Sequence, residues 1–105
     1  MSNNILPTLG LCRRAGKLVT GFDAVKEECS RPGTAVRGVI TASDLSEKTL
    51  KEVRFFCGKA GIPVFGADVT MSDIGSVTGK KTGIAAITDE GLYAALTREK
   101  AKDKK

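Results

Sequence analysis

Arginine and lysine side chains, which can bind anions, are the most informative residues in this chain of 105 residues. The first four of them fall in one short stretch. Residues 13–26 combine four cations, two glycines and a single carboxylate: Arg13, Arg14, Lys17, Lys26, Gly16, Gly21 and Asp23. The pattern predicts the end of a helix, a short strand, and a second helix that begins after Gly21. A helix N-terminus presents unpaired N–H groups and about half a positive charge, so it attracts anions. We therefore expect this stretch to contact the sugar-phosphate backbone of an RNA.

A second basic segment, Gly79-Lys80-Lys81-Thr82, lies in a predicted loop. Together with the residues from Gly75 it approximates the phosphate-binding loop G-x-x-x-x-G-K-[ST], but one residue is missing between the glycines and a lysine stands where Ser or Thr is required. The segment is also expected to leave a helix and enter a strand, which reverses the order found in that loop. We reject nucleotide hydrolysis. The remaining interpretation is a basic loop whose backbone and lysines can meet an anion, and the alternative is a plain turn.

The composition disfavours catalysis and metal binding. The chain has no histidine, which removes the usual general base near neutral pH. Its three cysteines are far apart, have no C-x-x-C spacing, and fall at apolar-face positions of predicted helices, as buried thiols would. Ser43-Asp44 and Thr88-Asp89 follow predicted strands, and we interpret them as helix caps. We expect no enzyme activity, no cofactor and no metal.

The net charge of +5 is unevenly distributed along the chain. Residues 1–26 hold four cations against one anion, residues 27–97 hold eight against nine, and residues 98–105 hold five against two. The excess at the two ends favours an anionic partner, with nucleic acid first. The apolar share of 41% and the charged share of 28% are typical of a folded globular domain. No apolar run approaches the roughly 20 residues of a membrane helix, and the N-terminus has no basic region followed by an apolar one, so we expect no signal peptide. We expect a cytoplasmic monomer that does not contact a membrane.

Helices and strands are predicted to alternate. The helices are expected to begin near Asn3 or Asn4, after Gly21, at Ser46, at Thr70 or Ser72, and at Thr88 or Asp89. The strands are expected over residues 17–20, 36–42, 62–65 and 84–88, with Pro63 indicating an edge strand or a first strand residue. Alternation implies parallel pairing and helices on both sheet faces. We predict a three-layer α/β/α sandwich around a partly mixed sheet of about four strands. Residues 1–97 form the single domain, and residues 98–105 form a basic disordered tail.

Aromatic residues are too few for a platform that stacks single-stranded bases. The five are Phe22, Phe55, Phe56, Phe65 and Tyr93, and most are expected in the core. Recognition of RNA backbone and shape is therefore favoured over recognition of splayed bases.

The passage Leu9-Gly10-Leu11-Cys12-Arg13-Arg14-Ala15-Gly16-Lys17-Leu18-Val19-Thr20-Gly21 resembles the opening of bacterial YlxQ-type proteins, members of the L7Ae/L30e-like ribosomal protein superfamily that binds kink-turn RNA. Asp73-Ile74-Gly75-Ser76-Val77-Thr78-Gly79-Lys80 resembles the later L-G-x-A-x-G-K passage of the family. Ala86-Ile87-Thr88-Asp89-Glu90-Gly91-Leu92 resembles its closing strand and turn, and Ser43-Asp44, Ser46 and Thr49-Leu50-Lys51 resemble its D-x-S-x-x-T-x-K run. The resemblance covers nearly the whole chain up to Leu96.

The resemblance implies an L30e-like fold that binds ribosomal or other structured RNA through the start of the second helix and the loop before the last strand. The implied surface consists of Arg13, Arg14, Lys17, Gly21, Phe22, Asp23, Lys26, Gly79, Lys80, Lys81 and Thr82. Strong kink-turn binders of this family begin the helix with G-x-N-E or G-x-K-Q and carry a lysine six residues after the glycine. Here Asp23-Ala24 and Glu27 occupy those positions, and Lys26 lies one place earlier.

Two interpretations of these departures follow. Either the protein binds RNA with altered specificity, or kink-turn recognition has been lost and something else is bound. Alternatives to a free-standing RNA-binding protein are a protein–protein interaction module on the same fold and the RNA-recognition partner of an RNA-modifying enzyme.

Overall fold

The computed structural model describes the backbone of residues 5–103 and the side chains of residues 5–97. Nine elements follow one another: α1 (Ile5–Arg14), β1 (Leu18–Thr20), α2 (Phe22–Ser30), β2 (Gly38–Thr41), α3 (Glu47–Ala60), β3 (Val64–Gly66), α4 (Met71–Thr78), β4 (Ile84–Ile87) and α5 (Glu90–Asp103). Their order matches the predicted alternation. The predicted cap at Asn3 or Asn4 lies outside the described residues. The division into a domain of residues 1–97 and a tail of residues 98–105 stays a prediction.

The four strands form one mixed sheet in the order β1-β4-β2-β3. β4 runs antiparallel to both of its neighbours, and only β2 and β3 pair in parallel. The expectation of parallel pairing was therefore wrong for two of the three pairs, because the last strand enters the middle of the sheet in the reverse direction. The expectation of a partly mixed, four-stranded sheet is confirmed. β3 lies at an edge, which is one of the two positions that Pro63 predicted, whereas Pro63 itself lies one residue before the strand.

Two apolar cores cover the two faces of the sheet. Leu9 and Cys12 of α1, Ile74 of α4 and Leu96 of α5 pack on one face with Ile40 and Ile87 of the sheet. Val25 and Cys29 of α2 and Val53, Phe56 and Cys57 of α3 pack on the other face with Val39 and Ala86. Alternate strand residues thus enter opposite cores, which is the period of two expected of strands buried on both faces. This arrangement is the predicted three-layer α/β/α sandwich.

Local signals set the helix ends. Ser46 Oγ accepts a hydrogen bond from Thr49 N at 3.2 Å and caps α3, and Gly61 ends that helix in the left-handed conformation at φ 73°. Thr70 and Asp73 form a capping box at the start of α4. Asp89 Oδ1 accepts from Leu92 N at 3.0 Å in the first turn of α5. These caps were predicted from sequence and are confirmed.

Candidate nucleic-acid interface

The antiparallel pairing of β1 and β4 brings the two basic segments of the sequence to one end of the sheet. Thr20, the last residue of β1, is paired with Ala85, the second residue of β4. The next residue along, Gly21, donates its N–H to the carbonyl of Ile84 at 3.4 Å. The start of α2 therefore adjoins the loop that precedes β4. We call residues 21–24 and 79–83 together the basic corner.

Helix α2 begins without a side-chain cap. Gly21 occupies the N-cap position at φ 97° and ψ 142°, and as a glycine it has no side chain to accept a hydrogen bond from the first turn. Its carbonyl accepts the first intrahelical bond from Val25 N at 3.0 Å. Because the earlier N–H groups of a helix have no intrahelical acceptor, the first turn of α2 directs unused donors and the positive end of the helix dipole toward this end of the molecule.

Threonine hydroxyls shape the loop between α4 and β4. Thr78 Oγ1 donates to the carbonyl of Ile74 at 2.9 Å and accepts from Lys80 N at 3.4 Å. Thr82 is buried, and its Oγ1 donates to the carbonyl of Ile84 at 3.1 Å. The predicted site residue Thr82 thus has its hydroxyl directed inward, where it orders the turn, whereas Lys80 and Lys81 between the two threonines are exposed.

Two glycines let the loop lie close to its neighbours. A Cβ added to Gly75 of α4 would lie 3.0 Å from Lys81 Cα and 3.2 Å from Lys81 N. A Cβ added to Gly83 would lie 3.1 Å from Met71 Sδ and would also overlap Leu45. The backbone of the basic loop is therefore held directly against α4, with no room for a side chain between them.

Arg13 joins the basic corner from helix α1. A Cβ added to Gly79 would lie 3.4 Å from Arg13 Nη2, so the guanidinium lies over the left-handed residue that ends α4. A cation at this position also favours the negative end of the α4 dipole. The structure thereby places Arg13, Gly79, Lys80 and Lys81 in one neighbourhood.

The remaining predicted residues are distributed differently. Lys17 lies at the opposite end of β1, where its carbonyl accepts from Thr88 N at 3.0 Å, about 13 Å of extended chain away from Gly21. Arg14 is exposed at the end of α1. Lys26 Nζ lies 5.9 Å from the ring centroid of Phe22, and that ring meets Phe56 edge-on at 5.8 Å. Lys26 is thus directed back toward Phe22 in the first turn of α2.

Within the described residues, the cations of the basic corner have no carboxylate within 4.0 Å. Among the described side chains the one ion pair within 4.0 Å joins Arg31 to Glu28 at 2.9 Å, and neither residue belongs to the basic corner. Asp23 is exposed in the first turn of α2, where its charge favours the helix dipole but opposes a second anion. Asp44 Oδ1 accepts from Met71 N at 2.9 Å, so this carboxylate caps α4, as predicted for the strand-end aspartates.

The described residues contain neither a metal-binding cluster nor a membrane-spanning helix. Within them no group of three or more His, Cys, Asp or Glu side chains is arranged to hold a metal ion. None of their helices combines the length and the apolar character needed to cross a bilayer. Cys12, Cys29 and Cys57 are buried free thiols, as predicted. Burial raises the pKa of all three, that of Cys12 to about 11 and that of Cys57 to about 12.

Sequence reasoning missed two features. The first is Gly75, whose close contact with Lys81 depends on the path of the loop, and no pattern in the sequence indicates that contact. The second is Phe55, which is 68% exposed although most aromatic residues were expected in the core. Its neighbour Phe56 is buried with Val53. Since the three-residue spacing of Val53 and Phe56 defines the inner face of α3, helical periodicity could have placed Phe55 outside.

Solved structures with this architecture include two very different proteins. A protein of unknown function from Bacillus halodurans C is 28% identical and superposes with a TM-score of 0.82 over 92% of this chain and 96% of its own. The Giardia lamblia 15.5kD RNA binding protein is 14% identical and superposes with a TM-score of 0.72 over 97% of this chain and 89% of its own. No protein-family model matches the chain, and neither does any curated protein. These similarities support the L7Ae/L30e-like fold.

Proposed function

We propose that this protein is a non-enzymatic RNA-binding protein that binds structured RNA at the basic corner. The observation that carries the proposal is the meeting of an uncapped helix N-terminus with a loop bearing two exposed lysines, joined through the Gly21 N to Ile84 O hydrogen bond. Backbone N–H groups and lysines are the donors that bind phosphates, and they fix the register and orientation of an RNA rather than its sequence. The shared fold of the Giardia RNA binding protein is consistent with this proposal.

More specifically, we propose that the protein is a YlxQ-type member of the L7Ae/L30e-like superfamily and that it binds ribosomal or other structured RNA. Support comes from the motif resemblance together with the position of its two key segments at one end of the sheet. The departures Asp23, Ala24 and Glu27 all lie on exposed positions of α2. We therefore propose altered specificity, with Lys80, Lys81 and Arg13 contributing cations from the neighbouring loop and helix.

A gel-shift titration tests RNA binding. The probes are a kink-turn RNA and the same RNA with its sheared base pairs replaced by Watson–Crick pairs. We expect the kink-turn RNA to bind at least several-fold more tightly at 150 mM salt. Equal weak binding of both RNAs that vanishes with salt would indicate charge attraction alone and would contradict recognition of structure.

Paired variants test the surface. Lys80→Ala combined with Lys81→Ala is expected to weaken binding tenfold or more and to lower the salt slope by about two, since each lost phosphate contact removes roughly 0.9 from that slope. The matched control is Lys51→Ala combined with Arg54→Ala, which removes the same charge from exposed positions of α3. If both double variants lose affinity equally, the loop is not a specific contact.

Substitution of Asp23 is expected to raise the affinity for RNA, whereas substitution of the lysines is expected to lower it. Asp23→Asn removes a carboxylate from the first turn of α2 without changing its size. If this turn faces a phosphate, affinity should rise about two- to tenfold, because repulsion of the anion is lost. An unchanged dissociation constant would place the RNA elsewhere on the molecule.

A further inference from the structure

A second basic surface lies on the other side of α2 and is not used by the proposed contact with structured RNA. It is a groove of about 740 Å³ between the C-terminal halves of α2 and α3 and the loop of residues 31–37. Four cations line it: Lys26, Arg31, Arg37 and Lys59. None of its lining residues is acidic. Glu28 pairs with Arg31 at 2.9 Å, which leaves three cations of the lining without a carboxylate within 4.0 Å among the described residues.

An exposed aromatic ring stands at this groove. Phe55 lines it with 68% of its surface exposed, and it is the most exposed large apolar side chain of the described residues. Lys59 Nζ lies 5.5 Å from the centroid of the Phe55 ring, so the ring and a cation are presented together. Burial of such a ring by a partner is favourable, whereas its exposure to water in the free protein is not.

We propose that this groove binds a single-stranded segment of RNA, with a base stacked on Phe55 and phosphates held by Lys26, Arg37 and Lys59. The pairing of an aromatic face with unneutralised cations is how proteins hold single strands, because every base has a stacking face and every nucleotide a phosphate. The proposal rests on the proposed function for the nature of its ligand. It adds a second mode of contact, base stacking, to the backbone contact of the basic corner.

The position of Lys26 connects the two surfaces. It lies four residues, or about one helical turn, after Phe22 at the start of α2. Its Nζ lies 5.9 Å from the centroid of the Phe22 ring, and the residue also lines the groove. A strand that leaves the structured RNA at the basic corner therefore reaches the groove within about one turn of helix. Phe56 meets Phe22 edge-on at 5.8 Å and forms part of the floor between them.

A peptide fits this groove less well. Extended peptides dock by adding backbone hydrogen bonds to a free edge. Here three N–H groups along the loop are already bonded: Thr34 N to Arg31 O at 3.1 Å, Val36 N to Thr34 Oγ1 at 3.2 Å, and Arg37 N to Ile87 O at 2.8 Å. The groove presents positively charged side chains and the face of an aromatic ring, which suit the phosphate and the base of a nucleotide.

Fluorescence anisotropy with a labelled eight-nucleotide oligoadenylate, which does not form the structured site, tests the proposal. Phe55→Leu keeps an apolar side chain but removes the ring, and it should weaken binding about fivefold or more, whereas Phe55→Trp should retain it. Lys59→Ala and Arg37→Ala should each weaken binding and lower the salt slope by about 0.7. The controls Leu11→Ala, on the exposed apolar residue of α1, and Lys48→Ala, on an exposed lysine outside the groove, should change the dissociation constant less than twofold.

The outcomes separate the two proposals. Lys80→Ala with Lys81→Ala should leave oligoadenylate binding unchanged while it weakens binding of the structured RNA. If the wild-type protein binds structured RNA but not the oligonucleotide, the groove proposal is wrong and the proposed function stands. If the oligonucleotide binds through Phe55 but the loop variants leave structured-RNA binding unchanged, the groove is real and the basic corner is not the RNA site. Displacement of the oligonucleotide by an eight-residue Glu/Leu peptide that Phe55→Leu binds equally well would identify a peptide groove and overturn the proposal.

Discussion

Gly21 adopts a backbone conformation that only glycine reaches at low cost. Its φ of 97° with ψ of 142° lies outside the regions open to side-chain-bearing residues. The residue ends β1, donates to Ile84 O, and starts α2 without contributing a cap. Its conformation therefore sets the direction of the first turn of α2 and leaves the backbone N–H donors of that turn available to a ligand.

Gly21→Ala is expected to lower the free energy of unfolding by about 1–3 kcal/mol, measured by urea denaturation. It should also weaken RNA binding, since relief of strain requires the start of α2 to move. The matched control is Gly58→Ala in α3, where an added Cβ meets no atom within 4 Å. That change should raise stability by roughly 0.5–1 kcal/mol, because alanine is the better helix former. Equal stability of Gly21→Ala and wild type would contradict the strained conformation.

The buried thiols predict a loss of stability at high pH. An ordinary thiol of pKa 9.0 in the unfolded chain is raised to about 11 at Cys12 by burial and then by the carboxylate of Asp89, and to about 12 at Cys57 by burial and then by Cys29. Above pH 9 the unfolded state therefore binds fewer protons than the folded state. Stability is fully present below pH 9 and falls as pH rises toward 11, by up to about 1.4 kcal/mol per pH unit for each thiol.

Urea denaturation at pH values from 7 to 10.5 measures this slope. Cys12→Ala should be less stable at pH 7, because it leaves a small cavity, but should show a shallower decline above pH 9. Iodoacetamide at pH 8 should label none of the three cysteines in the folded protein and all three in urea. Rapid labelling of the folded protein would contradict the buried state.

Helix α4 and the basic loop act as one structural element. Gly75 allows the Lys81 backbone to approach α4, while Thr78 and Thr82 bond the loop to itself at either side of the two lysines. The lysines are thus carried by an ordered loop rather than a freely moving one. An ordered loop costs less conformational entropy when it binds a phosphate backbone.

Gly75→Ala should displace the loop without changing any charge. In a helix this substitution ordinarily adds stability, but here the new Cβ would lie 3.0 Å from Lys81 Cα. We expect a stability loss on the order of 1–2 kcal/mol and several-fold weaker RNA binding. Amide NMR shifts should change in residues 79–83 and stay small in α3. Ser76→Ala, at the next and exposed position, serves as the control and should leave the loop resonances in place.

At the scale of the whole molecule, the cations at the C-terminal end of the sequence follow the residues that form the described core. Residues 98–105 carry five cations against two anions, and Leu96 is the last fully buried side chain among the described residues. Since residues 1–97 are predicted to form the domain, a chain ending at Thr97, which retains every buried side chain of the described residues, should keep its fold and an unfolding free energy close to that of the full chain, measured by circular dichroism. Its non-specific RNA affinity at 50 mM salt should fall, while the preference for the structured RNA should remain. Loss of the preference would mean that the tail takes part in recognition.

The sequence by itself determined the order of the elements and the main signals at the helix ends, although the strands are shorter or shifted relative to those predicted. Glycines at 16, 21, 61 and 79, the caps Ser46 and Thr70, and the apolar spacing within helices act over a few residues, so local chemistry was sufficient to predict them. It also indicated two basic segments and three buried thiols. None of these inferences depends on which strand lies beside which.

Only the tertiary structure decided which of these residues meet. β4 enters between β1 and β2 and runs against both, and this places the loop with Lys80 and Lys81 beside Gly21 while leaving Lys17 at the far end of β1. The tertiary structure also directs the Thr82 hydroxyl inward and brings Arg13 over Gly79. It leaves Phe55 exposed at a groove lined by cations. The physical reason is that strand order and helix packing are set by burial of both sheet faces across the whole chain, a non-local requirement that no short pattern of residues encodes.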